Sequence, residues 1–182
     1  MHLDTSSGLI NSARYLPSEN FDQRDTDAEP ECIIVHCISL PPGEYGGDQI
    51  ERFFTNQLNG HEHPYFAHIA DLRVSAHFLI KRTGELIQFV ATHERAWHAG
   101  ESVCLQRPKV NNFSIGIELE GLDTDSNGFT DAQYQELHEL IASLRAAYPN
   151  ILKSNIFAHS DIAPGRKPDP GPYFNWPRLF EL

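Results

Sequence analysis

An α/β fold with a single domain is what the sequence predicts, on three observations. The run Cys32-Ile-Ile-Val-His-Cys-Ile38 is β-branched and apolar on both parities, as a strand buried on both faces reads. A second strand, Phe113-Ser-Ile-Gly-Ile-Glu-Leu-Glu-Gly121, alternates instead. Between it and the C-terminus, Tyr134, Leu137, Ile141, Leu144 and Tyr148 trace one stripe of a long helix. The 182 residues suffice for one full core and are too few to expect two. The domain is therefore expected to span 1–182, with 1–30 an N-terminal lead-in.

Composition narrows the function classes. Apolar residues make up 40% and charged residues 21%, as in soluble globular proteins. The formal net charge is −11, from 25 acidic and 14 basic residues, which argues against nucleic acid and anionic membranes as partners. The first thirty residues hold neither a basic n-region nor an apolar h-region, so the chain is expected to be cytoplasmic. Cys32, Cys37 and Cys104 form no C-x-x-C pair and leave one odd, which disfavours a disulfide framework. No obligate protein partner is evident, and no repeat is visible.

In chain order, Gly8 to Ser18 offers Leu9, Ile10, Tyr15 and Leu16 for packing, and Phe21 to Glu31 reads as an acidic loop. On the strand from Cys32, Ile34, His36 and Ile38 share one face, with His36 near the C-terminal end, where sites in α/β sheets form. The alternative for His36 is a hydrogen-bonded core histidine. A helix is expected from Asp48 as N-cap through Leu58, with Gly60 after its last turn. His61-Glu-His63 invites a metal reading, but an exposed turn accounts for it. Ala76–Ile80 and Leu86–Val90 form a hairpin around Lys81–Glu85. Ala96-Trp-His-Ala-Gly100 is either core or the wall of a sugar- or peptide-sized groove.

On the strand from Phe113, Ile115, Ile117 and Leu119 share a face, leaving Gly116, Glu118 and Glu120 on the other. The glycine implies open space beside Glu118. A carboxylate among isoleucine and leucine is costly unless paired; either a basic neighbour satisfies it or its raised pKa suits a general base. Glu120 is expected to face water. Thr130-Asp-Ala-Gln133 has capping-box form at the start of the long helix, and Pro149 ends it. After a short strand, Asn155–His159, comes a stiff segment, 159–172. Pro164, Gly165, Pro168, Pro170, Gly171 and Pro172 fix its shape, so that Arg166, Lys167 and Asp169 are held in place. His36, His159 and Asp169 then offer two imidazoles and one carboxylate, a set that suits one catalytic Zn2+ with a fourth position open. Glu118 would take a proton from water and Lys167 would meet a developing oxyanion.

Five stretches carry a resemblance over almost the whole chain: His36–Gly47, Arg73–His77, Ala96–Gly100, Ser114–Gly121 and Ala158–Gly171. Together they resemble the AmpD-type zinc amidases, which cleave 1,6-anhydro-N-acetylmuramyl-L-alanine linkages in cell-wall recycling. The resemblance implies a mixed central β-sheet flanked by α-helices, the amidase/peptidoglycan-recognition-like fold. It implies His36, His159 and Asp169 as zinc ligands, Glu118 as base, Lys167 as oxyanion stabiliser, 159–172 as a rigid active-site loop and an anhydro-muropeptide as substrate. Arg73 would grip a substrate carboxylate, and His98, Cys37 and Lys109 would contact substrate. Cys37 and Lys109 depart from the family's usual asparagine and arginine; a thiol lacks the amide's donor and acceptor, and lysine lacks the guanidinium fork. Alternatives to the recycling amidase are a non-catalytic muropeptide sensor and an amidase acting on intact wall.

Overall fold

The computed structural model describes residues 1–181. The first thirty residues pack against the rest of the chain, with Leu3 and Ile10 buried in its core. β1 (Leu3–Asp4) pairs with β2 (Leu9–Ile10), and β3 (Arg14–Tyr15) reaches the edge of the main sheet. The segment expected as an acidic loop contains a strand, β4 (Phe21–Gln23). It forms because a partner supplies what its own polar residues do not, a point that local pattern cannot show.

The chain then enters β5 (Cys32–Ile38), whose first five residues are buried. Helix α1 (Gln49–Phe54) is shorter than expected: Asp48 makes no side-chain cap, and the helix stops at Thr55. Leu58 is still buried, so its apolar spacing marked packing rather than helix. The hairpin forms as read, from β6 (Phe78–Ile80) and β7 (Leu86–Gln88), antiparallel. β8 (Glu94–Ala96) pairs with β4, and β9 (Val103–Cys104) with β10 (Arg107–Pro108). β11 (Ser114–Glu120) precedes α2 (Asp131–Ala147), whose Thr130–Gln133 capping box is present in both directions. β12 (Ile156–Ala158) runs directly into a four-residue helix, α3 (His159–Ile162), so the segment 159–172 opens on a helical turn and becomes a loop after it. α4 spans Trp176–Glu181.

Six strands make one mixed sheet in the order β12-β5-β11-β6-β7-β3, and helices flank it. β12, β5, β11 and β6 are parallel, and β7 reverses. On one face, Ile33, Val35, Ile115, Ile117 and Leu119 pack with Leu137, Leu140 and Leu144 of α2. Each such fully buried side chain contributes about 1.5–3 kcal/mol. The other face carries two separate apolar clusters, one of Phe53, Phe54, Leu79, Ile87 and Phe89, the other of Ile34, Ala99, Val110, Phe113 and Ile162. Cys32 and Cys104 are free thiols with their sulfurs 4.0 Å apart. Among the described residues no helix is long and apolar enough to cross a membrane.

Candidate active site

Three adjacent parallel strands end at one place. His36 lies near the end of β5, His159 follows β12 immediately, and the segment after α3 returns Asp169 to them. The return is secured by backbone: Ser160 N donates to the Asp169 carbonyl at 3.0 Å. It also needs Gly171, which has φ +87° and where a Cβ would sit 2.2 Å from the Asp123 carbonyl oxygen.

His36 Nδ1 and His159 Nδ1 stand 2.9 Å apart, and Asp169 Oδ2 lies 3.1 Å from the first and 3.0 Å from the second. The other ring nitrogens are taken. His159 Nε2 lies 3.1 Å from the Ala99 carbonyl, which can only accept, so Nε2 carries the proton. His36 Nε2 lies 2.9 Å from His98 Nδ1. Burial pushes His36 down to about 4, against the pull of Asp169, so the ring is neutral near pH 7. Burial would raise the Asp169 carboxyl, but its bonds to His159 and His36 hold it below the usual carboxylate range.

With its proton on Nε2, His159 turns the Nδ1 lone pair toward the Asp169 carboxylate, and His36 adds a second lone pair when its own proton is on Nε2. Such an arrangement is repulsive unless a cation or a proton sits within it. Three donors each about 2.0–2.1 Å from one tetrahedral ion stand roughly 3.3 Å apart, close to the spacing here, and a two-nitrogen, one-oxygen set is one that zinc accepts. The residues fit the metal that the sequence suggested.

Glu118 stands beside His36 in the parallel register of β11 and β5, on the same face. It is half-buried, and its Oε2 is cut off from solvent without a hydrogen-bond partner among the described residues. Burial raises its pKa well above the carboxylate norm, Asp169 adds to this, and Lys167 opposes it. Lys167 is exposed, and its charge reaches both Glu118 and His36. A cavity of about 460 Å³ opens over these groups. Its lining includes His36, Glu118, His159, Lys167 and Asp169 together with the apolar side chains Leu40, Phe54, Leu72 and Val74 and the rings of Tyr65 and Trp97.

Two readings of the β11 face need correction. The space above Gly116 is filled by the His98 ring, since a Cβ there would come within 2.4 Å of it. Glu120 is 2% exposed and does not face water; it accepts from Gly46 N at 2.6 Å and Arg82 N at 2.9 Å. Among the proposed substrate contacts, Cys37 and His98 line the cavity, and burial pushes the Cys37 thiol up. Arg73 and Lys109 are exposed and outside the cavity lining. Arg166, from the same stiff segment as Asp169, turns away to the carbonyls of Ala99 and Glu101, both at 2.6 Å. His61 and His63 join no metal-competent group among the described residues.

Sequence reasoning missed the support behind the site. Arg24 is a buried guanidinium that donates to the carbonyls of Thr92, Asn111, Asn112 and Ser114, and burial lowers it to about 10. His77, wholly buried, accepts from Gly116 N at 3.0 Å and faces the Glu94 carbonyl at 3.1 Å. Asn111 Oδ1 holds the backbone of His98 and Ala99. Asp22 fixes Trp97 through its indole N–H at 3.1 Å. The one legible signal was a lone arginine in a strongly acidic stretch; the others lie among ordinary polar residues.

Comparison with known proteins agrees with the fold and with the family resemblance. The family model described as N-acetylmuramoyl-L-alanine amidase matches residues 26–172. The Escherichia coli K12 protein 1,6-anhydro-N-acetylmuramyl-L-alanine amidase AmpD is 52% identical over 172 residues, which cover 94% of this chain and 92% of that protein. A crystal structure of a selenomethionine AmpD derivative superposes with a TM-score of 0.94 at 51% identity, covering 98% of this chain and 97% of that one. The E. coli amidase AmiD, in complex with anhydro-N-acetylmuramic acid-L-Ala-D-gamma-Glu-L-Lys, matches with a TM-score of 0.61 at 29% identity, covering 86% of this chain and 59% of AmiD.

Proposed function

The chain belongs to the N-acetylmuramoyl-L-alanine amidase family, and from that premise we propose that it hydrolyses the amide joining the lactyl group of 1,6-anhydro-N-acetylmuramic acid to L-alanine. The substrate is a soluble muropeptide released for cell-wall recycling, and the reaction takes place in the cytoplasm. The whole chain acts as one zinc amidase domain, with His36, His159 and Asp169 holding a single Zn2+. Bound there, zinc supplies Lewis acidity, polarising the scissile carbonyl and acidifying water.

The chain's own groups do the rest. Glu118 takes the proton of the attacking water and passes it to the alanine nitrogen as the C–N bond breaks, leaving a lactyl carboxylate and a free stem peptide. A half-buried carboxylate with a raised pKa suits both duties. Lys167 donates to the oxyanion formed on attack. The apolar part of the lining is suited to the sugar, and Cys37, also in the lining, would contact substrate. Arg73 and Lys109, exposed and outside the lining, would act on parts of the substrate that extend beyond the cavity, Arg73 through a carboxylate.

The observation that carries this reading is the convergence of His36 Nδ1, His159 Nδ1 and Asp169 Oδ2 beside an unsatisfied glutamate. The test is peptide release from anhydro-muramyl tripeptide by zinc-loaded protein, followed by mass spectrometry, with intact murein sacculi in parallel. Release from the small substrate, abolished by a chelator and restored by zinc, is expected. Preference for sacculi would make the protein a wall amidase. Tight binding without release from either would make it a sensor.

A further inference from the structure

His98 was read from the sequence as a substrate contact, but its bonds run the other way, into the protein. Its Nδ1 lies 2.9 Å from His36 Nε2, and its Nε2 lies 3.1 Å from the Ser114 hydroxyl. The two rings meet edge to face, 5.1 Å between centroids at 82°. The backbone N–H groups of His98 and Ala99 both donate to Asn111 Oδ1, at 3.2 and 2.8 Å, which fixes the turn that presents the ring. The seat itself is Gly116, where a Cβ would come 2.4–2.6 Å from the ring atoms.

These contacts have one consistent proton order. If His36 offers Nδ1 to the site, its Nε2 carries the proton and must donate it; His98 Nδ1 then accepts, and His98 Nε2–H donates to Ser114 Oγ. We infer that His98 is a positioning residue: with Ser114 behind it and Gly116 beneath it, it locks His36 in the tautomer and orientation that aim Nδ1 at the metal. The inference rests on the zinc reading above and deepens it. Histidine ligands commonly hand their second N–H to a carboxylate or carbonyl. A neutral imidazole in that place holds the ligand without bringing another negative charge against Asp169 and Glu118.

The test is zinc affinity, measured by competition with a chromophoric chelator, alongside kcat, KM and a melting curve without metal. His98→Ala is expected to weaken zinc binding about 10–100-fold and, at saturating zinc, to lower kcat while KM stays within about twofold. Gly116→Ala removes no polar group but drives the ring from its seat, and is expected to give the same loss. The two losses should not add in the double variant. His98→Asn keeps an acceptor about where Nδ1 stands and is expected to retain most of the affinity; Ser114→Ala should give a smaller loss than His98→Ala. Unchanged zinc affinity in folded His98→Ala with a raised KM would overturn the inference and return His98 to the substrate wall. Wild-type protein that binds no zinc, or stays active after chelation, would instead sink the zinc reading itself.

Discussion

Two carboxylates one pleat apart on β11 have opposite surroundings. Around Glu120 every group is answered: its two oxygens accept from Gly46 N and Arg82 N, and its own carbonyl accepts from Gln133 Nε2 at 3.0 Å. Glu118 differs: its Oε2 is buried with no partner among the described residues, and burial raises its pKa well above normal. Both side chains share the face of the sheet opposite α2, so strand pattern does not separate them, and burial alone would single out Glu120, the deeper of the two. What separates them is the supply of donors. A buried carboxylate that the backbone has satisfied is a structural part, whereas one left short of donors keeps a proton affinity that chemistry can use.

The largest effect expected from this contrast is on turnover. Glu118→Gln keeps the volume and removes the base, so kcat should fall about 10²–10⁴-fold with zinc affinity within a few-fold of wild type. Near-wild-type turnover in a zinc-loaded Glu118→Gln protein would remove Glu118 from the mechanism. The same variant should be more stable than wild type when both are metal-free. A carboxyl whose folded pKa is raised costs nothing below its unfolded value, and the cost grows as pH rises through the folded one. The stability advantage of Glu118→Gln should therefore be absent at acid pH and increase toward neutrality, each unit of displacement being worth about 1.4 kcal/mol. Melting curves across that range check it; an advantage that shrank with rising pH would mean that Glu118 is satisfied in solution.

Glu120→Ala should do the reverse. It strands two backbone donors, at a cost of about 1–3 kcal/mol each if they stay dry, with kcat little changed. A fall in kcat comparable to that of Glu118→Gln, in folded protein, would abolish the distinction between the two residues.

How far the sequence shows this contrast depends on the distance over which each cause acts. Strand parity is local, so the faces of 32–38 and 113–121 were legible, as were the hairpin and the capping box. The donors of the metal-competent set were legible because few other residues combine strand ends, imidazole and a proline-fixed carboxylate. Register between strands is not local, and it is register that sets Glu118 beside His36. The burial of Glu120 depends on Gly46 and Arg82, 74 and 38 residues away, and the filling of the Gly116 space depends on a ring 18 residues upstream. Arg24, Asp22 and β4 escaped for the same reason: each is stabilised by partners near 92–97 or 111–114, not by its own neighbours. Apolar spacing carried too far at Leu58, which packs into the core without being helical.

The smallest effect lies at the far side of Glu120, where the helix cap meets the strand. Thr130 Oγ1 accepts from Gln133 N at 3.2 Å and donates to the Arg82 carbonyl at 2.8 Å. Gln133 answers Thr130 N through Oε1 at 3.0 Å and spends its Nε2 on the carbonyls of Ile80 and Glu120, at 3.1 and 3.0 Å. The capping box therefore joins α2 to β6 and β11 as well as starting the helix. Thr130→Ala removes the cap oxygen but leaves the Gln133 bonds to the sheet, so the expected loss is about 1 kcal/mol, or roughly 2–4 °C in Tm. Turnover should not change, because nothing in this chain of bonds reaches Glu118. If kcat fell with Tm, the satisfied end of β11 would be holding the unsatisfied end in place, and the two carboxylates would be parts of one device.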